Sequence, residues 1–122
     1  MFRLITLTLL CCTYPAQAVE QVKTIPIQFH GEWNMTPSDC GTDLNDSRLR
    51  IGAKQIRHYE GRDQVYAVVT DGRREIALVT HSTGEGEARL GTAQYRLSPD
   101  GRRLTDIRNE QQVVRYKCPV KK

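Results

Sequence analysis

The chain contains no apolar run long enough to cross a bilayer as a helix, which takes about 20 residues. It has no Cys-x-x-Cys pair, no Gly-x-Ser-x-Gly and no block of basic residues. The three histidines, His30, His58 and His81, show neither the i, i+4 nor the tight i, i+2 spacing of metal ligands. No segment of ten residues carries a helical period. There is only one Trp, and the aromatics, with two Phe and five Tyr, do not interleave with basic residues. These gaps argue against a helical membrane span, a zinc site of the usual spacing and a nucleophile-elbow hydrolase. They also argue against a basic track for nucleic acid. No cofactor or metal is implied.

What is present begins with a leader. Arg3 precedes an apolar run from Leu4 to Cys12, Pro15 breaks it, and Ala16-Gln17-Ala18 places small residues where a signal peptidase reads. The expected product is a single domain over residues 19–122, with 1–18 removed. A lipid anchor on Cys11 or Cys12 is the rival reading. Leu10 and Cys11 stand before those cysteines, where anchored leaders carry Gly or Ala, so a periplasmic or secreted protein is expected instead. Two cysteines then remain, Cys40 and Cys118. An even pair in an exported chain predicts a disulfide, here tying the start of the domain to its end. Removing Arg3 from a formal charge of +4 leaves +3, with acidic residues spread among the basic ones. Thirteen of the eighteen basic residues are Arg, which a compositional bias explains as well as a nucleic-acid partner does.

The rest of the chain alternates and turns. Thr24 to Met35 reads as a first strand with Ile25, Ile27, Phe29, Gly31 and Trp33 on one face. Pro37 to Asp46 is a polar loop holding Cys40. Further strands are expected at residues 48–51, 55–59, 64–70, 75–80, 88–97, 103–107 and 112–118. Asp71-Gly72 is a two-residue hairpin signal, and Ser98-Pro99-Asp100-Gly101 a turn with Pro and Gly in their preferred places. The stretch 82–91 reads as a glycine-rich loop, with a bulge near Gly91 switching the apolar face after Leu90. Short strands at this spacing predict an all-β fold, a small antiparallel meander barrel of seven to eight strands. Its expected inward set is Ile25, Ile27, Phe29, Trp33, Leu49, Ile51, Ile56, Val65, Ala67, Val69, Ile76, Leu78, Leu90 and Leu104. Mid-sized aliphatics of this kind favour a packed interior over a ligand-sized cavity.

Gly31-Glu32-Trp33 on a first strand, with Arg115 on the last, resembles the signature of lipocalin and avidin-like barrels. That resemblance implies a barrel-closing cluster of Gly31, Trp33 and Arg115, the cation lying across the indole. A wider pattern covers nearly the whole mature chain: Phe29, Gly31, Trp33 and Cys40, then Gly84-Glu85-Gly86-Glu87, then Leu97-Ser98-Pro99-Asp100-Gly101-Arg102-Arg103-Leu104, then Arg115-Tyr116-Lys117-Cys118-Pro119. It resembles a group of small exported bacterial proteins of uncharacterised function. Periplasmic inhibitors of metalloproteases are similar in plan, as single-disulfide eight-stranded barrels with an early Gly-x-Trp. Their inhibitory N-terminal segment is not carried over onto VEQVKTIP.

Gly84, Glu85, Gly86 and Glu87 form the candidate binding loop, since paired carboxylates can serve as acid and base or hold a cation. A solvated turn is the plainer reading. His58 shares the alternation of Ile56 and is expected half-exposed. The arginine pairs Arg73-Arg74 and Arg102-Arg103 flank turns and suit a basic rim. The function expected is a non-enzymatic binding or inhibitor module. It acts as a monomer on a protein or envelope partner, with no nucleic acid and no membrane span. The alternatives are a carrier of a small apolar ligand inside the barrel and a hydrolase using Glu85 and Glu87.

Overall fold

A computed structural model describes residues 10–12, 19–42, 45–84, 87–108 and 110–120. The strands are β1 (Glu20–Val22), β2 (Gly31–Asn34), β3 (Leu49–Ile51), β4 (Gln55–Arg57), β5 (Arg62–Thr70), β6 (Glu75–Gly84), β7 (Glu87–Leu97), β8 (Arg103–Arg108) and β9 (Gln111–Lys117). From β2 onward each strand pairs antiparallel with the next, and β9 returns to β2. The result is a closed eight-stranded meander barrel. β1 is an extra strand on β5, running from Glu20↔Thr70 to Val22↔Val68. It occupies the half of β5 that the three-residue β4 does not reach, since β4 pairs only with residues 62–64. Among the described residues no helix is long and apolar enough to cross a membrane. Most of the expected leader lies outside the described residues; Cys11 and Cys12 are exposed free thiols.

Alternation fills the interior. Trp33, Phe29, Ile56 and Leu104 are fully buried, joined by Ile25, Leu49, Ile76, Leu78 and Tyr95. Burial of such side chains contributes roughly 1.5–3 kcal/mol each. Several expectations are corrected here. The first strand does not run through Thr24 to Met35. Pro26 lacks the N–H a strand needs, a 3-10 turn follows at Ile27–Phe29, and Ile27 is left 80% exposed. Val69 is 37% exposed and Ala67 only partly buried, because the register slips between Val65 and Ala67. Tyr66 is the extra residue of this bulge, so Val65 and Val68 both reach the core. No such shift occurs near Gly91, where the β6–β7 register is continuous from Glu75↔Arg96 to Gly84↔Glu87. Leu90 simply points outward, 76% exposed.

The turns obey local chemistry. Ser98 accepts the Gly101 N–H at 2.9 Å, and Gly101 takes φ +71°. The Asp71-Gly72 connection is longer than a two-residue hairpin, since β5 ends at Thr70 and β6 starts at Glu75. The Asp71 carboxylate explains the length. Its Oδ1 accepts from the N–H groups of Arg73, Arg74 and Glu75 at 2.9–3.0 Å. Those bonds hold its pKa below the ordinary aspartate value.

Candidate functional site

The seam that closes the barrel is short. β2 and β9 share two register pairs, Trp33↔Lys117 and Asn34↔Tyr116, and one further bond from Cys118 N–H to Glu32 C=O at 2.9 Å. The β2–β3 loop folds back over this seam. Cys40, at the end of its 3-10 turn Pro37–Asp39, is bonded to Cys118 as expected. Asn34, fully buried, donates from Nδ2 to Cys118 Sγ at 3.0 Å and to Glu32 Oε2 at 3.1 Å, and its Oδ1 accepts from Asn45. Glu32 Oε2 also accepts the Gly41 N–H at 2.8 Å, and Oε1 accepts from Arg50 Nε at 3.1 Å. Glu32, Cys40 and Cys118 thus bring three potential metal ligands within 4.8 Å, but both sulfurs are spent in the disulfide. Metals bind the thiolate.

Burial raises the Glu32 pKa, yet the bonds from Gly41, Arg50 and Asn34 outweigh it, and the net shift is downward from 4.5. A lowered folded-state pKa contributes stability that is complete above the unfolded value and lost as pH falls through the folded one. Glu32→Gln is therefore expected to cost roughly 1–3 kcal/mol at neutral pH. Urea midpoints measured at neutral and at strongly acidic pH check this, because the gap between variant and parent should close in acid.

Trp33 Nε1 donates to Phe29 C=O at 3.0 Å, and its ring is wholly buried. The cation over the indole is Lys117, with Nζ 5.5 Å from the ring centre. Arg115 and Lys117 share one alternation of β9, but the register sets Lys117 opposite Trp33. Arg115 is engaged by the Ser47 C=O at 2.7 Å and by Asp106 Oδ2 at 3.4 Å. Gly31 is required by its backbone, φ +120°, more than by any close neighbour: a Cβ there would meet only Lys117 Cε, at 3.9 Å.

Of the candidate loop, Glu85 and Gly86 lie outside the described residues; Gly84 and Glu87 pair as the last rung of the β6–β7 hairpin. The stretch expected as a loop is therefore mostly strand. His58 is half-buried, and its Nε2 meets Asp63 Oδ2 at 2.7 Å. Ser82 donates to Asp63 Oδ1 at 2.7 Å. The carboxylate stands between serine and histidine. A histidine that activates a serine must itself be the one in contact with the hydroxyl. Asp63, Thr80 and Ser82 help line a cleft of about 480 Å³ with Gly91, Ala93 and Ile107. It lies where β8 leaves β7, since their register pairs run only from Tyr95↔Asp106 to Leu97↔Leu104.

Two features of the outer wall went unread in the sequence. On β5 to β7, Tyr66, Val69, Val79 and Leu90 are 64%, 37%, 42% and 76% exposed. Register places them on one face: Val69↔Ala77, Ala67↔Val79 and His81↔Leu90, with the Tyr66 ring 6.0 Å from that of His81. On β3 to β5, Arg50, Arg57 and Arg62 stand directly opposite one another. In comparisons with known proteins, the chain matches no family model, no curated protein and no solved structure.

Proposed function

We propose that this protein is an exported, non-enzymatic binding module that acts in the cell envelope on a protein partner, in the manner of an inhibitor. The observation that supports this reading is the exposed apolar face of Tyr66, Val69, Val79 and Leu90 on three adjacent strands. Large apolar side chains clustered on one outer face mark interaction surfaces, whereas isolated ones need no explanation. The adjoining edge of β7, residues 87–94, has no β8 partner among the described residues, so the face ends on backbone groups open to a second chain. The carrier reading is less well supported. The interior around Trp33, Phe29 and Tyr95 is packed, and the cleft mixes polar Asp63, Thr80 and Ser82 with apolar Leu78, Ala93 and Ile107.

The test is capture from periplasmic extract on immobilised protein at several pH values, with parent and a Val79→Asp, Leu90→Asp double variant side by side. A central apolar pair is expected to carry at least about 2 kcal/mol, so capture of the partner should fall by tenfold or more. Equal capture by both proteins would refute this face as the docking site. Capture of nothing by the parent would count against the module itself.

A further inference from the structure

The row of arginines is unusual in its register. Read across the outer wall, it runs Glu32 on β2, Arg50 on β3, Arg57 on β4, Arg62 on β5 and Thr83 on β6, each directly opposite the next. Like charges directly opposite in a sheet are destabilising. At one end the repulsion is relieved, because Glu32 pairs with Arg50 at 3.1 Å. Arg57 and Arg62 are exposed, and no carboxylate among the described residues pairs with either. Two positive side chains are therefore left on one face of neighbouring strands, whose backbones lie about 4.8 Å apart. They form the floor of a cleft of about 400 Å³, with Tyr59 and Thr83 also lining it.

We propose that this cleft binds a phosphoryl group. The charge left over is that of Arg57 and Arg62. A phosphomonoester supplies about −1.5 to −2 at neutral pH, with three acceptor oxygens. It can therefore bridge two guanidinium groups that a single carboxylate, with one charge, leaves half-compensated. Arginine is the side chain suited to this task, since its planar fork meets phosphate oxygens two at a time. Tyr59, 53% exposed, offers a ring against which the remainder of the ligand can lie. The phosphoryl group comes either from a soluble phosphomonoester or from the headgroup of an envelope lipid. The site stands apart from the apolar face and does not depend on it.

The experiment uses the mature chain and an Arg57→Gln, Arg62→Gln variant. Both are checked for folding by circular dichroism, and an Arg103→Gln variant serves as a control at the opposite end of the barrel. Glycerol phosphate is titrated calorimetrically. Flotation is measured with phosphatidylcholine vesicles with and without phosphatidic acid. Binding of glycerol phosphate that falls roughly tenfold or more in the double variant, and not in the control, supports the soluble source. Binding only to phosphatidic acid vesicles, with the same loss, supports the lipid source. The double variant is also expected to melt no lower than the parent, because it removes repulsion without removing a bond. Absence of binding to both probes, or equal binding by parent and double variant, overturns the proposal.

Discussion

Replacing Cys40 and Cys118 by serine is expected to lower the melting temperature by roughly 15–40 °C. The two residues are 78 apart, so the bridge closes most of the folded chain into one loop. On the chain-entropy argument, releasing a loop of that size returns about 4–5 kcal/mol to the unfolded state. Each kcal/mol shifts the midpoint of a domain this small by about 4–8 °C. The location of the bridge adds to its effect. It lies at the β2–β9 seam, which otherwise holds by two register pairs and one backbone bond. Scanning calorimetry with and without reductant measures the shift. Amide exchange should show β2 and β9 opening first, since the bridge is then gone from a seam of two register pairs. A fall of under about 2 °C would mean that the bridge contributes little of what one normally does.

Arg115→Ala is expected to cost about 3–5 kcal/mol, the usual penalty for stranding one member of a buried ion pair. Asp106 is 1% exposed and faces the barrel interior beside Tyr95. Arg115 reaches it at 3.4 Å and ties β9 to the Ser47 carbonyl at 2.7 Å. Without the guanidinium, the carboxylate keeps its burial and loses a counter-charge, and the loop before β3 loses its anchor. The double variant Asp106→Leu, Arg115→Met should recover most of the loss, because an apolar pair of similar volume needs no desolvation. Urea unfolding with unchanged slope separates this effect from a change in the unfolded state. A single variant that loses less than about 1 kcal/mol would show that the pair is not important to stability.

Much of the wall was legible because strand and turn signals are local. Leu49, Ile51 and Ile56 alternate with Arg48, Arg50 and Arg57, and all three apolar residues are buried. Ser98 to Gly101 turns as its residues require. The break at Pro26 was also available: a proline inside an apolar run argues against a continuous strand. The bulge at Tyr66 was not, because Gln64 to Thr70 is apolar on both faces and nothing local marks which residue is extra.

The candidate loop and the outer wall divide in the same way. The charges on Arg50, Arg57 and Arg62 are plain in the sequence, as is the outward parity of Arg50 and Arg57, whereas Arg62 stands before the strand expected at 64–70 and is its first residue in the structure. That they form one row follows only from the pairings Arg50↔Arg57 and Arg57↔Arg62. Likewise the closing register sets Lys117 opposite Trp33 and brings its Nζ over the indole, which the sequence did not mark.

By itself, then, the sequence determined an all-β chain with one Cys40–Cys118 bridge and a core of alternating aliphatics, because alternation, turn chemistry and cysteine number are properties of neighbouring residues or of composition. The tertiary structure decided which cation covers Trp33, which apolar residues Tyr66 to Leu90 leave outside, and which arginines face one another. Those depend on register between strands that meet only when the barrel closes, and a shift of one residue would turn each of these side chains to the other face.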